Sequence, residues 1–279
     1  MRLHLSLAGT VLFAAVSLLT AGAAEAAPKI EETARRLFKM QADSIITVRA
    51  TVALTMSAGD NPSQSRDQTV EEFGTVLTSD GLVVVSASSI DPATAADGRT
   101  VNMRGNQVKL SVTSEVKEAR FIMPDGTEVP ATVIFKDRDL NLAYLAPEVG
   151  AEEAKDAKFI PILTSPIQKL TVLDEVVVLS RLEKAMGRTA AVECDSIKAV
   201  LDKPRQFYVI HIPTPGLPVF GNTGNFAGFL TTRFGSAGEA GGISISPVVL
   251  PAAEVVKSIE QAKAKRAATP APKPPDAKK

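Results

Sequence analysis

Apolar residues recur along this chain first at helical spacing and then, for most of its length, with the two-residue alternation of strands. Ile30, Ala34, Leu37 and Phe38 share one side of residues 29–41, which predicts a short helix. From residue 45 the period changes. Ile46, Val48, Ala50, Val52 and Leu54 occupy every second position of 45–54, the signature of a half-buried strand. Two further strands are predicted at 72–77 and 82–86, joined by Ser79-Asp80-Gly81, where Gly accepts the positive φ of a tight turn. The arrangement repeats at 119–123 and 128–135 around Pro124-Asp125-Gly126-Thr127. Residues 57–70, polar and rich in turn formers, read as a surface loop.

An acidic, alanine-rich segment at 148–157 suits a crossing between two lobes. Strand signals resume at 170–179, 190–200, 205–212, 226–234 and 242–246. A closing helix is predicted over 248–262, with Val249, Ala253, Val256 and Ile259 along one side. Residues 263–279 carry Lys, Ala and Pro but few large apolar groups, so they read as a disordered tail. Many short strands with Gly or Pro turns predict an all-β protein of closed antiparallel sheets.

Composition narrows the address and the chemistry. Arg2, an apolar run to Leu19 and the small residues around Ala24 and Ala26 have the order of a secretory signal peptide over 1–26, which predicts a bacterial periplasmic or secreted protein with no membrane span after cleavage. Lys+Arg and Asp+Glu both number 31. That balance argues against nucleic acid or acidic lipid as partner. Cys194 is the lone cysteine, which excludes an intramolecular disulfide; it is expected as a buried small hydrophobe between Val192 and Ile197. Cys194 and His211 together cannot supply the four ligands of a structural zinc site, so no metal is expected. Rossmann and Walker glycine patterns are absent too, and no cofactor is predicted.

Two segments carry a resemblance. The run Phe73-Gly74-Thr75-Val76-Leu77-Thr78-Ser79-Asp80-Gly81-Leu82-Val83-Val84-Val85-Ser86-Ala87-Ser88 resembles the segment that brings the catalytic histidine in trypsin-like serine proteases, specifically the bacterial HtrA/Deg branch. The histidine falls on Ser88, whose hydroxyl cannot take a proton at neutral pH as imidazole does. The family's segment ending in the triad aspartate is similar to Asp137-Arg138-Asp139-Leu140-Asn141-Leu142-Ala143-Tyr144-Leu145 and places Asn141 there, an amide without the charge that stabilises imidazolium. For the nucleophile two registers compete. Gly221-Asn222-Thr223-Gly224-Asn225 imitates the nucleophile turn and offers Thr223. Gly216-Leu217-Pro218-Val219-Phe220 matches the segment just after it, fits Gly224 and Ala227-Gly228-Phe229 downstream in the same frame, and puts Pro215 on the serine. The second register is the better account. It also puts Pro213 on the glycine whose N–H completes the oxyanion hole, so both donors are prolines without an N–H.

The resemblance implies a trypsin-like double β-barrel: an N-terminal helix at 27–42, a first six-stranded barrel at 43–147, a linker at 148–157, and a second six-stranded barrel with its closing helix at 158–262. No second apolar segment follows Ala262, so no PDZ module is expected. The function implied is that of a catalytically inactive protease homologue binding a protein or extended peptide, with His211, Thr214, Gly216, Leu217 and Pro218 along the groove. Weak serine- or threonine-type hydrolysis through Ser88 or Thr223 is one alternative, and a structural envelope protein is another. His211 beside Thr214 or Thr223 would be a remodelled dyad; as a plain strand histidine it would have no chemistry.

Overall fold

The computed structural model describes residues 29–59, 61–103, 105–236 and 243–268; the predicted signal peptide and the end of the predicted tail lie outside them. Helix α1 (Ile30–Gln41) buries Ile30, Ala34 and Leu37 and turns through a 3-10 segment at Ala42–Ser44 into the first lobe. There follow β1 (Ile45–Ala58), β2 (Gln64–Val76), β3 (Val83–Ser86), the single turns α2 (Ala87–Ile90) and α3 (Ala93–Ala96), β4 (Thr100–Met103), β5 (Asn106–Ile122), β6 (Glu128–Asp137) and β7 (Leu142–Pro147). The strands lie in the order β1-β2-β3-β7-β6-β5-β4, and an added β1–β5 pairing closes six of them into a barrel, with β4 attached to the outer end of β5.

After the turn α4 (Glu153–Asp156), the second lobe contains β8 (Glu175–Arg181), β9 (Ala190–Ser196), β10 (Ala199–Leu201), β11 (Phe207–Val209), β12 (Pro218–Gly221), β13 (Phe226–Ser236) and β14 (Ile243–Pro251), and ends in α5 (Ala252–Ala268). Its order is β10-β11-β14-β13-β12-β8-β9, and among the described residues nothing pairs β10 with β9. The predicted all-β double barrel between two helices is therefore present, but the second lobe is a half-barrel of seven strands, not a closed barrel of six. Helices take over part of the covering that closure would give. α1 packs on β8 and β9, while α5 packs on β13 and β14 and reaches β6 of the first lobe.

β3 and β7 form the wall between the lobes. Every residue of β3 is buried, as are Leu142 to Ala146 of β7, because both faces of these strands meet apolar groups. Val83, Val85, Ala143 and Leu145 point into the barrel, whereas Val84, Leu142 and Tyr144 join the core of the second lobe. That is why the sequence reads Val-Val-Val here rather than apolar-polar alternation. Arg181 adds a polar staple between the lobes: though buried, it donates from Nε to the Ile45 carbonyl at 2.7 Å and from Nη1 to the Arg188 carbonyl at 2.7 Å, and pairs with Asp43 at 3.2 Å. Burial pulls its pKa down, and Asp43 only partly opposes this.

Several expectations need correction. Residues 57–70 are mostly strand: β1 and β2 run on as an arm beyond the barrel, paired from Ile45↔Thr75 to Met56↔Gln64. Residues 248–251 belong to β14, where Val248, Val249 and Leu250 pair with β13, and the helix starts only after Pro251. That helix then runs to Ala268, six residues into the predicted tail. Cys194 is exposed, because β9 ends the sheet with only β8 beside it. Partial burial, with Glu31 and Glu175 nearby, nevertheless pushes its thiol pKa up.

Candidate functional site

The cleft between the lobes is built around Asn141. Asp137 Oδ1 accepts the Leu140 N–H at 3.1 Å and tightens the turn before β7, so Asn141 arrives with φ 55°, a left-handed conformation that Asn tolerates better than most residues. Its side chain is 5% exposed. Oδ1 accepts the Ser88 N–H at 2.8 Å; Nδ2 faces Ser86 Oγ and Ser88 Oγ, both at 3.1 Å, and the Thr232 carbonyl at 3.0 Å. A backbone donor on one side and a backbone acceptor on the other fix which way the amide points. The Asn141 backbone is held as well, its carbonyl accepting the Ala87 N–H at 2.9 Å and the Thr231 hydroxyl at 3.3 Å. The structure thus brings Ser88 and Asn141 together and ties both to β13 of the other lobe. The knot holds hydroxyls and amides but no ionisable side chain.

The Pro215 region lies beside this knot along β13, Gly216 bonding Leu230 where Asn141 bonds Thr232. Gly216 has φ 90°, and a Cβ there would sit 2.4 Å from the Phe73 carbonyl oxygen, so no side chain fits. Its N–H donates to the Leu230 carbonyl at 2.9 Å, and its carbonyl accepts the Thr75 hydroxyl at 2.9 Å. Thr214 lines a cavity of about 390 Å³ with Glu72, Phe73, Leu182 and Arg188. Leu217 and Pro218 are buried, Leu217 at 0% exposure within the core of the second lobe. Their apolar character served packing.

Thr223 and His211 lie apart from the knot. Thr223 is in the exposed β12–β13 turn, its hydroxyl donating to Gln168 Oε1 at 2.7 Å and its carbonyl accepting Arg36 Nη2 of α1 at 2.8 Å. Thr232 is six residues beyond Phe226 on β13, about 20 Å at the usual strand rise, so the Thr223 turn sits at the far end of that strand. Among the described residues no hydrogen bond joins Thr223 to His211. His211 is exposed, and its backbone N–H donates to Asp195 Oδ2 at 2.6 Å. Burial alone would raise Asp195, but Lys198 and the backbone donors of His211 and Ser196 outweigh it and hold the carboxyl below its ordinary range.

Glu72 was missed from sequence. Alternation along β2 sends Glu71 to Arg49 at 3.0 Å and to Arg188 of the second lobe at 2.7 Å, and puts Glu72 on the face it shares with Gly74 and Val76, toward the barrel core. Burial holds the Glu72 carboxyl above its ordinary value, with a hydrogen bond from Ser89 partly opposing. Parity counted from the buried Gly74 would have separated the two glutamates. Among the described residues no cluster of three or more His, Cys, Asp or Glu could hold a metal ion. No helix among them is long and apolar enough to cross a membrane.

No family model matches the chain, and no curated protein does. Among solved structures it is similar to the HtrA-type protease AlgW with tripeptide, at 12% identity and a TM-score of 0.49 over 84% of this chain and 63% of that one, so it spans less than two thirds of AlgW. It is also similar to the MamO protease domain from Magnetospirillum magneticum in its apo form, at 14% identity and a TM-score of 0.47 over 80% of this chain and 98% of that domain.

Proposed function

We propose that the chain is an exported protein of trypsin-like architecture that has lost proteolytic chemistry and binds a protein or extended peptide in its interlobe cleft. The observation that carries this reading is the Asn141 knot: the two positions that the resemblance assigns to acid and base hold an amide and a hydroxyl already committed to each other. Neither takes a proton at neutral pH. On the preferred register the nucleophile and both oxyanion donors fall on Pro215 and Pro213, and loss of one such donor costs about 3–4 kcal/mol of transition-state stabilisation. Without triad or hole, acyl transfer falls close to background.

Binding has a physical basis in β13. Leu230 gives its carbonyl to Gly216 and its N–H to Leu217, and the Thr232 carbonyl goes to Asn141. By two-residue alternation Phe234 presents its backbone on that same edge, where no strand lies beside it among the described residues. An extended chain can add there. In the decisive experiment, the folded protein is treated with a fluorophosphonate probe and titrated with unfolded polypeptide. Absent labelling with saturable micromolar binding is expected; labelling lost in Ser88→Ala or Thr223→Ala would instead establish hydrolytic chemistry.

A further inference from the structure

A second cavity, of about 330 Å³, opens beside Asn141 between the lobes, and four of its lining residues are Arg99, Arg138, Arg205 and Arg233 against a single carboxylate, Asp139. The concentration is local, since the whole chain carries as many acids as bases. Elsewhere Arg49, Arg120, Arg181, Arg188 and Arg266 sit in ion pairs. The cavity arginines have no ion pair among the described residues. Two of them are held in place by other means: Arg99 lies over the Phe234 ring at 5.4 Å and donates to the Gly235 carbonyl at 3.0 Å, and Arg233 lies over the Phe207 ring at 5.7 Å. The Thr94 hydroxyl on the same wall is buried without a hydrogen-bond partner. Like charges gathered around a recess raise the local positive potential and call for a counter-charge.

From this geometry we infer that the cavity is an anion site selecting acidic side chains on a bound peptide. This deepens the binding reading above and rests on it. A cavity of this size admits one or two side chains rather than a folded surface, and Phe234, whose backbone offers the open strand edge, is one of its walls. A peptide added along β13 would therefore carry Asp or Glu residues into reach of planar guanidinium groups, which bind carboxylates through paired hydrogen bonds. The chain's own end is excluded by sign, because residues 263–279 are rich in Lys.

The test uses fluorescence anisotropy on the full mature chain with two labelled eight-residue peptides, identical except that Asp and Glu in one are Asn and Gln in the other, at fixed salt. The acidic peptide should bind about tenfold more tightly or better. Arg138→Glu with Arg205→Glu, both on surface turns, should remove that preference, and Asp139→Asn should enlarge it. Equal binding of the two peptides would overturn the acidic assignment while leaving peptide binding intact. Capture of unfolded protein with neither peptide bound would do the same. Displacement of the acidic peptide by millimolar inorganic phosphate, with the amide peptide undisturbed, would assign the cavity to a free oxyanion and overturn the peptide assignment. If neither peptide nor unfolded protein bound, both readings would fall together.

Discussion

In the first lobe β1 is hydrogen-bonded on both sides, to β2 and to β5, so the sheet has closed on itself; in the second, β9 and β10 end the sheet and helices cover it. The interiors differ to match. The barrel core, with Ile46, Val48, Val85 and Phe121, contains no residue of either helix. The core of the second lobe includes Ile30 and Leu37 of α1 together with Val255 and Ile259 of α5. A closed sheet supplies its own cover, whereas an open one borrows it from the two ends of the chain. The first lobe should therefore stand apart from the helices, and the second should fail with them.

Large-to-small changes test this most severely. Phe121→Ala in the barrel should cost about 3–5 kcal/mol and Leu37→Ala on α1 about 2–5 kcal/mol. Hydrogen exchange should then rise in β1–β7 for the first variant and in β8–β14 for the second, although Leu37 precedes every strand. Equal loss of protection in both lobes from Leu37→Ala would break the comparison. Next in size is the staple between the lobes. Arg181→Met leaves buried carbonyls, that of Ile45 among them, without a donor and should cost about 2–3 kcal/mol in urea unfolding. An unchanged midpoint would mean that the lobes are held by apolar packing alone.

The smallest effect belongs to the half-buried Glu72 of β2. Its folded pKa lies above the ordinary 4.5, so the folded state holds its proton more tightly than the unfolded chain does. Stability from this group is full below pH 4.5 and is lost as pH rises through the folded value. Glu72→Gln removes that loss, so its melting temperature should exceed the wild type's at pH 7 and approach it below pH 4.5. A difference independent of pH would show that the carboxyl is not held up by burial.

What the sequence disclosed follows the same division. The strands of the barrel wall were legible because burial on a defined face leaves a period, as from Ile46 to Leu54, and because Asp80-Gly81 marks a turn through local geometry alone. The arm built from the outer halves of β1, β2 and β5 was not legible. Its residues, such as Gln64 to Asp67, are exposed, so no alternation distinguishes strand from loop. Open and closed sheets also share one period, and closure depends on whether β9 and β10 meet, which no local pattern encodes. At the cleft, the spacing of 53 residues between Ser88 and Asn141 was visible in the motifs, and the two residues do touch. Leu217 and Pro218 are buried, as happens where a motif that flanks a site also packs beneath it. Glu72 was hidden by its neighbour: two adjacent glutamates look alike until the strand sends them to opposite sides.

The double-faced burial of β3 and β7 limits how this molecule can be divided. A cut near residue 150 would separate the lobes in sequence, yet the piece ending there would keep Val84, Leu142 and Tyr144 as an uncovered apolar stripe on its outside. Such a stripe on a released fragment is a sticky surface that draws copies together. The halves differ in what covers them, yet neither is finished without the other, because a single layer of strands serves as the floor of one core and the ceiling of the other.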